Sequence, residues 1–259
     1  MPPRIFNMLN HGIILPLSSK SLLKNHFTTS FPQNNFAADR LNSINCLIQE
    51  TLKMGIISQI LDTRNIFPNN IFVVIQEHRT TKNRLIFDMS FLNQFIKFPK
   101  FSLLKIPTIL HILHRSVFAA KIDLSKAYYH ITIHENYKKF FTFALGTKKY
   151  QFNNMPFGLA SAPYIFTTIM TAVIFYIRKT YGITIFSYLD DILILAKNHF
   201  QISYAVLKVL NLFERLGLTV NYKASILQPN MLLIWEYHLT LQIKPCPYQR
   251  ETLPIYVLK

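Results

Sequence analysis

Apolar residues in this chain recur at two spacings, and each spacing predicts a different backbone. From Ala38 to Met54, the positions Leu41, Ile44, Leu47, Ile48 and Leu52 fall three or four apart, which lines one face of a helix. Gly55 follows where such a helix stops. Tyr164 to Tyr181 and Ser203 to Leu216 also have helical length and end at Gly182 and Gly217. Between them lie short β-rich runs: Ile71 to Gln76, Arg84 to Asp88, Val117 to Asp123, Phe140 to Leu145, Lys149 to Phe152, Thr184 to Leu189 and Ile192 to Ala196. The polar segment His78 to Asn83 joins the first two as a hairpin with a basic tip, and Gly146 is the natural turn of a second hairpin. Leu124 to Tyr129 is expected to turn out of its strand into a helix. The order strand, helix, hairpin, helix, strand predicts an α+β architecture with helices packed on one face of an antiparallel sheet. Residues 1–30 keep no steady period and are expected to form a loosely held lead-in. No internal repeat is visible.

The chain's 259 residues can bury a sizeable core as one large domain or two small ones. Lys and Arg number 28 against 12 acidic residues, and the net charge of +16 points to a polyphosphate partner or an anionic membrane surface. No stretch reaches the roughly 18 uninterrupted apolar residues of a spanning helix. Arg178 and Lys179 interrupt the best candidate, and Asp190 and Asp191 the next. The apolar runs therefore read as core. Cys46 and Cys246 have no partner spacing, so neither a disulfide framework nor a zinc site follows. Without a secretory signal or lipidation motif, an intracellular location, cytoplasmic or nuclear, is expected.

Against this basic background, two adjacent aspartates, Asp190 and Asp191, stand at the tip of an apolar hairpin, where like charges repel. Taken alone, such a pair is most often a solvated turn. Asp123 changes the balance, because it closes an apolar strand that a shared sheet would bring beside that tip. Three carboxylates converging on one point need cations, and hard oxygen ligands suit Mg²⁺. Two such ions about 3.5–4 Å apart activate a 3′-hydroxyl and stabilise a leaving pyrophosphate.

Three sequence words carry a resemblance: KIDLSKAYYH at 121–130, YQFNNMPFGLASAPYIF at 150–166 and FSYLDD at 186–191. In order and spacing they resemble successive motifs of reverse transcriptases, the RNA-directed DNA polymerases. RLIFDMSFLN at 84–93 and LGLTVNYKASIL at 216–227 resemble two further motifs. The resemblance implies a right-hand polymerase fingers and palm over 31–241, with the thumb largely missing and a truncated tail over 242–259. MPFGLASAP is closer to gypsy-type or DIRS-like retrotransposons than to vertebrate retroviruses.

Carried over by position, the resemblance implies that Asp123, Asp190 and Asp191 hold two Mg²⁺ ions, with Mn²⁺ an alternative, and that the Leu124 carbonyl is a further ligand. Tyr128 matches a steric gate against the ribose 2′-hydroxyl, and its bland reading is a core tyrosine. Arg84 matches the arginine that grips the incoming triphosphate, a task suited to a planar bidentate donor. Phe157 and Gly158 match the lining of the nucleotide pocket, where glycine lets backbone approach a ligand closely. Lys223 matches a lysine that protonates the departing pyrophosphate, although most lysines are simply solvated. Tyr188 and Tyr237 fall on the primer and template side.

Two departures stand out. The stretch QEHRTTKNR, with Glu77 and His78, replaces the lysines common before the fingers strand, leaving Arg79 or Lys82 to substitute. LLIWEYHL sets Glu236 before Tyr237 where a Gly-Tyr pair is usual, and a carboxylate there repels a primer phosphate. The implied partners are an RNA or DNA template with its primer, deoxynucleoside triphosphates and other parts of an element polyprotein, with no membrane. Two rival readings stay open. One is a degenerate element remnant that binds nucleic acid without catalysis; the other, a peripheral membrane binder, rests on composition alone.

Overall fold

A computed structural model describes residues 7–8, 10–17, 38–62, 66–74, 84–103 and 118–230. Its elements are, in chain order, α1 (Ala38–Lys53), β1 (Ile57–Gln59), β2 (Asn70–Val74), β3 (Arg84–Asp88), α2 (Ser90–Asn93), β4 (Phe118–Asp123), α3 (Glu135–Lys138), β5 (Thr142–Leu145), β6 (Lys148–Phe152), α4 (Ala162–Tyr181), β7 (Thr184–Tyr188), β8 (Asp191–Ala196), α5 (His199–Arg215) and β9 (Ile226–Asn230). A 3-10 turn, Ala127–His130, follows β4.

The expected mixture of helices and antiparallel strands is present, but the strands do not share one sheet. Among the described residues they form a four-stranded sheet ordered β7-β8-β4-β9, a three-stranded sheet ordered β1-β6-β5 and the β2-β3 pair. The second hairpin separates because β6 spends its outer edge on β1, pairing Ile57 with Phe152. Its turn is Gly146–Thr147, with Gly146 at φ 57°, the conformation that favoured glycine there. The tip at 78–83 lies outside the described residues.

Period-two alternation decides what each face of the large sheet does. Ala120 and Ile122 of β4, Ile185 of β7, and Ile192 and Ile194 of β8 enter one core with Ile165, Phe166, Ile169 and Val173 of α4 and Ile202, Val209 and Phe213 of α5. Each of these Ile, Val and Phe side chains taken fully out of water contributes about 1.5–3 kcal/mol. The alternate set, Lys121, Asp123, Asp191 and Leu193, therefore lies on the opposite face. α5 starts ahead of its expected first residue because the Asn198 side chain caps it, accepting the Gln201 N–H at 2.9 Å.

Leu124 to Tyr129 does turn out of its strand into a helix, a 3-10 helix at Ala127–His130 that follows Lys126 at a left-handed φ of 52°. One expectation is corrected. The lead-in is not loose throughout: Ile13 and Leu15 are buried in the main core. The Ile13 N–H donates to the Thr132 carbonyl at 2.8 Å, and the Ile13 carbonyl accepts from the His134 N–H at 3.1 Å. A short apolar run needs no period to find a strand-like partner.

Candidate active site

Antiparallel pairing of β4 with β8 sets Asp123 directly across from Asp191, and pairing of β7 with β8 sets Tyr188 across from the same residue. Directly paired residues share a face, so Tyr188, Asp191 and Asp123 form one row. Two residues, Leu189 and Asp190, close the hairpin between β7 and β8. Leu189 sits at φ 53°, a left-handed conformation that costs a branched side chain roughly 1–2 kcal/mol. Among the described residues, the only other non-glycine at positive φ is Lys126, just past Asp123. Strain is thus confined to the two turns that flank the acids, as is common at functional sites. The Leu124 N–H, donating to the Asp190 carbonyl at 2.9 Å, ties these turns together.

Asp123 is held from three directions. Its N–H donates to Ser225 Oγ at 3.0 Å, its carbonyl accepts the Asn221 N–H at 2.8 Å, and its Oδ2 accepts from Asn221 Nδ2 at 3.0 Å. Asp191 is only 2% exposed, and its Oδ1 lies 3.1 Å from Lys121 Nζ. It is therefore not the solvated turn residue of the bland reading. The acids meet in the backbone, and their hard oxygens suit a small divalent cation. The side chains stop short of a formed cage: among the described residues, no three or more His, Cys, Asp or Glu groups stand in metal-holding geometry. Asp191 is turned to Lys121 instead.

A second cluster lies beside the 3-10 turn. Tyr128 packs against Phe157 at 5.0 Å and Phe166 at 5.7 Å between ring centroids, while Tyr129 meets Phe157 at 5.3 Å. Phe157 remains 43% exposed, so this aromatic wall faces solvent at one end. Burial pushes the Tyr129 phenol up to about 12, keeping it a neutral packing group. His130 lies with Nε2 2.9 Å from the Ser125 carbonyl, and burial lowers its pKa against the opposing hydrogen bonds to the Ser125 and Gly217 backbone. Gly158, at φ 98°, passes so close to β3 that a Cβ would stand 2.7 Å from the Phe87 carbonyl oxygen.

Asn93 pins that segment by a double contact, Nδ2 to the Gly158 carbonyl and Oδ1 to the Ala160 N–H, each 2.9 Å. Asn93→Ala is expected to lower unfolding free energy by about 1–3 kcal/mol, read from urea denaturation, because two backbone groups lose their partner.

Of the remaining expected residues, Lys223 is exposed on the turn between Asn221 and Ser225, and Leu124 is buried next to Asp123. Arg84 opens β3 opposite Val74, with its side chain outside the described atoms. Tyr237 and Glu236 lie outside the described residues, as do Arg79 and Lys82. Sequence reasoning assigned no role to Lys121, Asn93, Asn221 or Ser225, although each stands inside a quoted motif. For Lys121 a signal existed: two residues before Asp123 on a strand means the same face.

Residues 44–228 match the family model described as reverse transcriptase (RNA-dependent DNA polymerase), well over half of the chain, and the chain belongs to that family. It is similar to an enzymatic polyprotein of Cassava vein mosaic virus, 27% identical over 181 residues that cover 69% of this chain and 27% of the relative. Polyprotein P3 of Commelina yellow mottle virus is 31% identical over 140 residues, 54% of this chain and 7% of that protein. Protein P of Duck hepatitis B virus (strain China) is 25% identical over 171 residues, 63% of this chain and 22% of its own length. The chain thus spans about a quarter or less of the length of these curated relatives.

Proposed function

We propose that this chain is the fingers-and-palm core of an RNA-directed DNA polymerase from a retrotransposon, extending a primer on a nucleic-acid template with deoxynucleoside triphosphates. The observation that carries the reading is the register that sets Asp123 across from Asp191 at the Leu189–Asp190 tip, within a chain of the reverse transcriptase family. Asp123, Asp190, Asp191 and the Leu124 carbonyl are the groups that would hold two Mg²⁺ ions, or Mn²⁺. When bound, such ions polarise phosphate oxygens and stabilise the leaving pyrophosphate.

The chain's own residues supply position. Asn221 and Ser225 fix Asp123, Tyr128 and Phe157 form the wall against which a sugar would lie, and Asn93 holds the Gly158 segment in place. Arg84 and Lys223 are assigned to the triphosphate, and Tyr188 and Tyr237 to the primer and template. The viral relatives named as polyproteins favour a chain that works beside other parts of a longer polyprotein, inside the cell. Among the described residues, no helix is long and apolar enough to cross a membrane.

A second reading, a folded remnant that binds nucleic acid without extending primers, is favoured by the turn of Asp191 toward Lys121 and away from a three-acid cage. Primer extension on an RNA template with Mg²⁺ and deoxynucleotides separates the two. Extension by the wild-type chain that disappears in Asp190→Asn supports the polymerase. Salt-sensitive template binding without extension supports the remnant.

A further inference from the structure

Lys121 is the one basic side chain the structure sets against an acid of the candidate triad among the described ion pairs. It stands two residues before Asp123 on β4 and pairs in register with Leu193, so its stem shares the face of Asp123 and Asp191. Its side chain is 17% exposed and Asp191 is 2% exposed, which makes the pair largely desolvated. A carboxylate this buried needs a positive partner, and removing that partner is far costlier than removing the pair. A divalent cation taking Asp191 as a ligand competes with the Lys121 ammonium for the same Oδ1. Among the described residues Asp123 is set against no cation, its Oδ2 accepting a neutral amide hydrogen bond from Asn221 at 3.0 Å.

We infer that Lys121 is a resident counter-ion for Asp191 that a divalent metal displaces, so that metal loading of this site is an exchange of one cation for another. Lys121 is thereby a positioning residue, acting through Asp191. Three consequences follow from electrostatics. The apo chain tolerates a buried Asp191 without metal. Divalent affinity is weaker than the three acids alone would give. The metal shifts stability little in the wild type, because one partner of Asp191 replaces another. This inference rests on the site taking divalent ions, as in the function proposed above.

The test uses the full chain, with thermal unfolding measured with and without Mg²⁺ and Mn²⁺ binding followed by electron paramagnetic resonance. Lys121→Met keeps the apolar stem and removes the charge. Without metal its Tm is expected to fall by on the order of 10 °C, and millimolar Mg²⁺ should return about 5 °C of that loss while moving the wild-type Tm by only a degree or two. Its Mn²⁺ affinity should exceed the wild type's by about tenfold, the scale of a partly buried charge pair. The double variant Lys121→Met, Asp191→Asn should regain stability without metal and lose the Mg²⁺ response.

Should Lys121→Met not fold, Lys121→Arg supplies the second arm: a firmer, bidentate cation predicts Mn²⁺ binding weaker than wild type. A Tm deficit in Lys121→Met that Mg²⁺ leaves untouched, or unchanged Mn²⁺ affinity in both variants, overturns the inference and leaves Lys121 a structural partner only. Failure of the polymerase reading looks different: cation exchange persists while the wild type extends no primer. A chain that extends primers but shows no exchange sinks this inference alone.

Discussion

Asp123→Asn is expected to cut primer extension by about a thousandfold or more while leaving the fold intact, the loss corresponding to ~4 kcal/mol of transition-state stabilisation. Asparagine keeps the shape and an acceptor for the Asn221 amide, and the backbone bonds to Ser225 and Asn221 are untouched. The change also removes one negative charge from a row that already holds Asp191 across the ladder, so stability should not fall. What disappears is anionic oxygen where a divalent ion would need it. Single-nucleotide extension at saturating Mg²⁺, read beside a thermal melt, checks both halves. Activity within tenfold of wild type at unchanged Tm would remove Asp123 from the site.

Gly158→Ala should cost about 2–5 kcal/mol of stability and lower the Tm by roughly 5–15 °C. Two costs coincide there. The backbone is at φ 98°, and the added methyl would meet the Phe87 carbonyl oxygen at 2.7 Å, a backbone atom of β3 with no rotamer to change. Gly217 separates the two costs. It has φ 72° but open space around its Cβ direction, so Gly217→Ala should cost only about 1–2 kcal/mol. Equal losses at the two positions would show that the close approach to β3 contributes nothing. The segment that Gly158 anchors also carries Phe157, whose ring meets Tyr128, so the variant should disturb nucleotide binding as well as folding.

Legibility from sequence followed the range of the interactions. The long helices were readable because their apolar spacing and the glycines at 55, 182 and 217 are local signals, and helix ends obey local rules. α5 starts four residues ahead of the expected Ser203 because its cap is a single side chain, Asn198, that no apolar period marks. The division into separate sheets was not readable, since strand pairing is a choice among distant edges and β6 chose β1. The burial of Ile13 belongs to the same class, a contact with residues more than a hundred positions away.

The candidate site divides in the same way. Sequence alone determined the residue types: scarce aspartates closing apolar strands, a glycine where backbone must pass close, and motif words in the order that marks the family. These are local or linear properties, and they survive without coordinates. Tertiary structure alone decided that Asp191 is buried against Lys121, that Asn221 and Ser225 grip Asp123, and that Asn93 reaches across to the Gly158 turn. The reason is physical: a strand's pattern fixes which side chains share a face, whereas register and side-chain reach fix which of them touch.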